Sequence, residues 1–206
     1  MSKSASMKFS VATLIFPVCA FVLIGCSDPK DANKENFSKA IQEYLNQEKA
    51  CMGIQGRYLD TGLYNEFTDL NEFVKIGLLK KEALKPKSSM TRNVDPRVLY
   101  SLTEQGKEIS RKKEGFLGDT VLLCYGEKVI TGVTNFTPPA TMGGYTISRV
   151  KYTYKVTGID DWVKNELLMK QYKNLRGELN SANTPLEEEA TLMLTNAGWV
   201  HETLQK

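Results

Sequence analysis

The chain has 206 residues, 41% of them hydrophobic and 25% charged, with a formal net charge of +3. That is enough for one domain or two small ones, and the balance is too ordinary for a disordered, collagen-like or low-complexity protein. A charge so near neutrality also excludes a protein that is basic throughout, as nucleic-acid binders tend to be.

Residues 1–25 set the context for everything after them. Lys8 supplies a positive start, residues 11–24 are mostly apolar, and Leu23-Ile24-Gly25-Cys26 closes the segment. The apolar part is shorter than the roughly 20 residues of a transmembrane helix, and it ends on a small residue, as a cleavage site does. The Leu-Ile-Gly-Cys run resembles the lipobox of bacterial lipoproteins, whose cysteine is diacylated and left as residue one by a dedicated signal peptidase. That resemblance implies a signal peptide over 1–25, lipidation at Cys26, membrane attachment through it, and a place in the cell envelope. Ser27, not Asp, follows the cysteine, which by the same resemblance favours the periplasmic face of the outer membrane in a Gram-negative source. The other reading is an ordinary secretory signal that ends before a cysteine. Residues 26–34 are polar and contain Pro29, so they are predicted to be a tether reaching up to roughly 30 Å.

Of the four cysteines, Cys19 leaves with the signal and Cys26 takes the lipid. Cys51 and Cys124 remain in a chain exported to an oxidising compartment, and a disulfide between them is the economical expectation; two buried free thiols are the alternative.

Residues 35–48 read as the first helix, because Phe37, Ile41, Tyr44 and Leu45 recur at helical spacing. Gly53, Gly56 and Gly62 then predict a loop. A second helix is predicted to start near Asp69, with Glu72 reaching back in a capping box, and to stop at Gly77. Next come Gly77-Leu78-Leu79, a basic span, and Tyr100-Ser101-Leu102-Thr103-Glu104-Gln105-Gly106. Helix, Gly-Leu-Leu, hairpin, Tyr-x-Leu-Thr-x-x-Gly, helix: this order resembles the second half of a winged-helix domain. The resemblance implies a winged-helix-like subdomain over 35–114, in which Gly77-Leu78-Leu79 leads into the wing and Thr103 caps the next helix. The family's usual activity is DNA binding through a basic recognition helix. Here the corresponding helix sets Asp69 and Glu72 against Lys75, and an exported chain meets no chromosome, so no nucleic-acid partner is carried over.

From residue 115 the pattern changes to period two. Residues 120–125, a turn at Gly126-Glu127 and residues 128–136 read as a hairpin, ended by Pro138 and Pro139. Residues 141–144 read as a mobile loop. Residues 146–156 alternate most clearly, with Ser148, Val150, Tyr152, Tyr154 and Val156 on one face and Arg149, Lys151, Thr153 and Lys155 on the other. Asp160 or Asp161 is placed to cap a helix over 162–175, and a polar span over 176–185 leads to strands at 190–195 and 199–202. The expectation for 115–206 is an antiparallel meander interrupted by one helix. The fold class is α+β.

No catalytic constellation stands out. His201, the single histidine, has no metal-ligand spacing around it, and the chain lacks the zinc-protease, paired-cysteine and phosphate-loop patterns. No metal or cofactor is expected. Asp160-Asp161 suits a helix start, Glu187-Glu188-Glu189 reads as a solvated acidic run, and Tyr145, Tyr152, Tyr154, Trp162 and Trp199 read as core. Charge distribution rises above background: residues 75–113 hold eleven Lys or Arg against four Asp or Glu. Lys80, Lys81, Lys85, Lys87, Arg92 and Arg97, then Arg111, Lys112 and Lys113, read either as a solubilising hairpin or as a contact for anionic lipid, cell-wall polymer or an acidic protein. The sequence thus points to a lipid-anchored, non-enzymatic binding or scaffolding module. The alternative is an enzyme or enzyme inhibitor acting on cell-wall or exported substrates.

Overall fold

The computed structural model describes residues 28–55, 59–60, 70–83, 98–116 and 118–205. Its spine is β5 (Thr120–Phe136), a strand of 17 residues. β1 (Ala50–Gln55) and β4 (Ser110–Lys113) both pair with the first half of β5, so they occupy opposite edges of it. The second half pairs with β7 (Tyr145–Thr157), and β8 (Leu186–Thr195) and β9 (Gly198–His201) continue the sheet beyond β7. β6 (Ala140–Met142) adds a short strand to β7. All of these pairings are antiparallel, which makes a seven-stranded sheet among the described residues and bears out the α+β class. No helix among the described residues is long and apolar enough to cross a membrane.

The turn read at Gly126-Glu127 does not form; the strand runs straight through it. Glycine serves close approach there instead, since a Cβ on Gly126 would come within 2.7 Å of Val156 Cγ1. The register against β1 also slips beside it, between Ala50 and Cys51. Similarly, the start of the span read as a loop, as far as Gln55, is strand β1; Gly56 and Gly62 lie outside the described residues. The 141–144 segment is the tip of a β6–β7 hairpin, in which Gly143 (φ 60°) and Gly144 (φ 85°) supply the two positive φ angles a tight two-residue turn requires.

Helix α1 (Lys34–Gln47) begins at Asn33, whose side chain accepts from the Asn36 N–H. Its stripe is the predicted one: Phe37, Ile41 and Leu45 are buried, and Tyr44 is half-buried against the core. The helix lies on the large sheet, where the Phe37 ring meets those of Phe136 at 4.9 Å and Trp199 at 5.0 Å, both edge-on. Residues 28–33, expected to belong to a free tether, are bound to this same end. Asn36 Nδ2 donates to the carbonyls of Asp28 (2.7 Å) and Asp31 (2.9 Å), and Trp199 Nε1 donates to that of Lys30 (3.0 Å). Pro29 packs on Gly198, where a Cβ would sit 2.9 Å from the Pro29 carbonyl oxygen. Cys26 and Ser27 lie outside the described residues.

Between β1 and β4 the chain makes an excursion. Helix α2 (Asn71–Lys75) ends at Gly77 (φ 80°), and β2 (Leu79–Ala83) pairs with β3 (Val98–Leu102). The predicted cap Asp69 lies outside the described residues, and Leu70 at the cap position makes no side-chain bond. Thr103 does cap α3 (Glu104–Glu108), its hydroxyl oxygen accepting from the Gly106 N–H at 3.0 Å. Gly106 is forced by packing, since a Cβ there would fall 2.2 Å from the Leu78 carbonyl. The local order of the Tyr-x-Leu-Thr-x-x-Gly stretch is therefore present. A separate winged-helix unit over 35–114 is not supported: α1 packs on the large sheet, and β1 and β4 are strands of it.

The helix expected over 162–175 is broken. A 3₁₀ turn (Asp161–Lys164) precedes α4 (Glu166–Gln171), and Asn165 between them accepts from the Leu167 and Leu168 N–H groups. Neither Asp160 nor Asp161 provides that cap. A further helix, α5 (Leu175–Leu179), occupies the start of the span read as merely polar. β8 begins at Leu186, so the 187–189 glutamates are inside the strand rather than ahead of it.

A tyrosine–glutamate seam and a basic excursion

The alternation of β7 delivers Tyr152 and Tyr154 to the core face, both buried. β8 runs alongside with Glu188 opposite Tyr152, in phase with the buried Ala190 and Leu192. Both phenols reach the same carboxylate: Tyr152 Oη donates to Glu188 Oε2 at 2.8 Å and Tyr154 Oη to Oε1 at 3.2 Å. Burial, reinforced by the Glu188 charge, raises both phenols well above the ordinary tyrosine range, so they remain donors at any physiological pH. The Lys128 ammonium lies 5.2 Å from the Tyr154 ring centroid.

Helix α5 brings a second carboxylate to this seam. Glu178 accepts a hydrogen bond from the hydroxyl of Tyr125, a buried residue of β5. Burial first and the Glu188 charge second push the Glu178 carboxyl up to about 7. Glu178 and Tyr125 edge a shallow depression of about 400 Å³, shared with Cys51, Met52, Tyr172 and Lys173. Chemically, the arrangement holds one carboxyl poised to gain or lose a proton near neutrality, beside a carboxylate whose two oxygens are occupied by phenols. It bolts α5 to the sheet.

His201 sits under α1, its ring stacked on Tyr44 at 3.7 Å and 6°, with Nδ1 placed to accept from the Thr203 N–H. Burial lowers its pKa, so it is neutral at physiological pH. No group of three or more His, Cys, Asp or Glu among the described residues is placed to hold a metal ion.

Cys51 and Cys124 face each other across the β1–β5 ladder and form a disulfide, with the sulfurs 2.11 Å apart. The bond closes the base of the excursion that carries α2, β2, β3, α3 and β4.

That excursion also carries the basic segment. Lys80 and Lys81 are on β2; Lys85, Lys87, Arg92 and Arg97 lie outside the described residues. Lys81 Nζ donates to Asn71 Oδ1 at 2.8 Å and lies 5.6 Å from the Tyr100 ring centroid. Much of the remaining charge is answered locally. Lys75 pairs with Glu72, Lys107 with Glu104, Lys112 with Asp119 and Arg111 with Glu48. The count from sequence therefore overstates the field of the described residues.

Sequence reasoning passed over Glu178 and Tyr125. Nothing in the run Leu175-Arg176-Gly177-Glu178 signals burial, because its partner is 53 positions away. Glu188 had a signal, namely its two-residue phase with Ala190 and Leu192. No protein-family model, curated protein or solved structure matches this chain.

Proposed function

We propose that this protein is a lipid-anchored, non-enzymatic module of the cell envelope that holds a basic surface out toward an acidic protein or anionic polymer. The single observation behind this reading is the position of the two ends. Residues 28–33 pack where α1 begins, whereas Arg111 bonds the Gln47 carbonyl where α1 ends, which puts β4, the last strand of the basic excursion, at that far end. Fourteen helical residues at 1.5 Å each separate the ends by about 21 Å, more than twice the Debye length of roughly 8 Å at physiological salt. Together with the lipobox resemblance at Cys26, this supports an anchor at one end and a reader at the other. It also disfavours the anchoring bilayer as the basic segment's partner, since that surface is screened at such a distance.

The test uses mature protein with Cys26→Ser, titrated with polyglutamate. Binding is expected at low salt and should weaken steeply as salt rises. The quadruple variant Lys80→Glu/Lys81→Glu/Lys85→Glu/Lys87→Glu should lose it while keeping the parent's circular dichroism. Binding indifferent to salt, or a variant that binds as well as the parent, would return the segment to a solubilising role.

The enzyme alternative has one foothold, the near-neutral Glu178 at the edge of its depression. The hydrogen bonds of Glu178 and Glu188 to Tyr125, Tyr152 and Tyr154 favour a structural use of both carboxylates.

A further inference from the structure

The end of the molecule where the described chain begins also gathers two long stretches free of Asp, Glu, Lys and Arg. Residues 129–148 form an uninterrupted run of 20 without a charged side chain, in a protein where one residue in four is charged. Residues 190–201 hold only the buried His201 as a titratable group. The two runs meet in space. Ile147 pairs with Met193 in antiparallel register, so the Gly143-Gly144 turn of the β6–β7 hairpin and the Asn196-Ala197 turn of β8–β9 lie at the same end. Residues 28–30 reach that end too, through Pro29 on Gly198 and the Lys30 carbonyl on Trp199, and Lys30 and Tyr145 line one shallow depression.

Two large apolar side chains are left in solvent there. Met142 is 69% and Tyr145 56% exposed, and they are paired across the glycine turn. Asp28, Lys30 and Asp31 contribute two negative charges and one positive, so electrostatic attraction to an anionic surface does not explain this end. Cys26 is two residues from Asp28, at most about 7 Å of extended chain.

We infer that the Met142–Tyr145 hairpin tip is a membrane-contact site, seated in the headgroup layer of the bilayer that holds the acyl chains of Cys26; this rests on the reading of Cys26 as lipidated. Tyrosine suits that depth, with an apolar ring and a polar hydroxyl. The outer edge of β6 has no partner strand among the described residues, which restricts the tip to the hydrated boundary and keeps it out of the hydrocarbon. A second copy of the chain is a poorer occupant, because a stable interface buries about 800 Å² per partner and two side chains at a hairpin tip offer far less. The contact gives the short anchor a second point of attachment, which sets the orientation and holds the basic end away from the surface.

The test places a nitroxide on Met142→Cys and, in a separate protein, on Lys113→Cys. With Cys51 and Cys124 oxidised and Cys26 acylated, the new thiol is the only reactive one in the mature chain. Lipoprotein purified from envelopes is reconstituted in phosphatidylethanolamine–phosphatidylglycerol vesicles, and collision with lipid-soluble oxygen is compared with collision with a water-soluble nickel chelate. The 142 label is expected to favour oxygen and the 113 label nickel. In parallel, mature protein starting at residue 26 and carrying Cys26→Ser is partitioned onto the same vesicles, where adding Met142→Ser/Tyr145→Ser should weaken binding about tenfold. Acylated protein whose 142 label collides as freely with nickel as the 113 label removes the contact and leaves the anchor. Spin–spin broadening at 142 reassigns the tip to a second copy. Protein that proves unacylated but partitions in a tip-dependent way removes the anchor and leaves the contact, and loss of both observations removes both.

Discussion

Replacing both Cys51 and Cys124 with Ser is expected to cost about 4 kcal/mol of folding stability, from the loop-closure entropy of a bridge spanning 73 positions. A domain of this size is stable by about 5–15 kcal/mol, so the loss takes a large share of the total. The reason lies in what the bridge closes. The excursion from β1 to β4 carries two short helices and a two-stranded sheet, and its route out and back is tied at neighbouring positions of one ladder. In the unfolded chain the same tie removes a long loop's freedom; in the native sheet it joins residues already opposed. Urea unfolding should move to a lower midpoint with the sheet and excursion signals still coincident. An unchanged midpoint in the double variant would show that the ladder alone holds these strands.

Glu178→Gln is expected to stabilise the protein at pH 8 and to leave it nearly unchanged at pH 4. The folded-state pKa is raised from 4.5 to about 7, so the native protein binds the proton more tightly than the unfolded chain does. Stability from this group is then fully present below about 4.5 and is lost as pH climbs from there through about 7. The difference between parent and variant should grow across that window and level off above it, at on the order of 3 kcal/mol. Glutamine keeps an oxygen for the Tyr125 hydroxyl and removes the half-buried charge. Taking the difference also cancels titrations common to both proteins, including that of the buried His201. Parallel pH profiles for the two would mean that Glu178 is solvated and its bond to Tyr125 incidental.

What the sequence makes legible is what neighbours in the chain decide. β7 announces itself because polar or charged residues alternate with apolar ones from Arg149 to Val156, and α1 because four apolar residues share one stripe. Thr103 and Gly77 declare themselves through local backbone chemistry. Gly126 and Gly53 mislead for the opposite reason. Glycine at a turn and glycine at a close strand crossing look alike until the strand that approaches them, here β7 or β5, is known. Asn165 splits a helix that apolar spacing alone would have carried through, because its side chain offers the backbone a cap at that point.

The polar residues show the same division. A strap rich in Asp, Asn and Pro reads as a solvated tether, yet its carbonyls are taken by Asn36 and by the Trp199 indole, 169 positions from Lys30. The basic segment reads as an excess of charge, yet Glu48 and Asp119 lie outside its bounds and neutralise Arg111 and Lys112. Glu178 acquires its chemistry from burial beside Tyr125, and no local pattern carries that information. The lipobox resemblance is of another kind: it rests on sequence alone, since residues 23–26 lie outside the described residues.

The anchor is therefore the claim on which the orientation, the basic reader and the hairpin contact all depend. Its most direct test is metabolic labelling of the full chain with a fatty-acid analogue in a bacterial host, followed by the intact mass of the purified protein. The account predicts a mature chain that begins at Cys26, carries the label and sediments with the envelope, and a Cys26→Ser variant that carries none. A parent protein that matures without label, or a Cys26→Ser variant that still incorporates it and still sediments with membranes, would contradict the account.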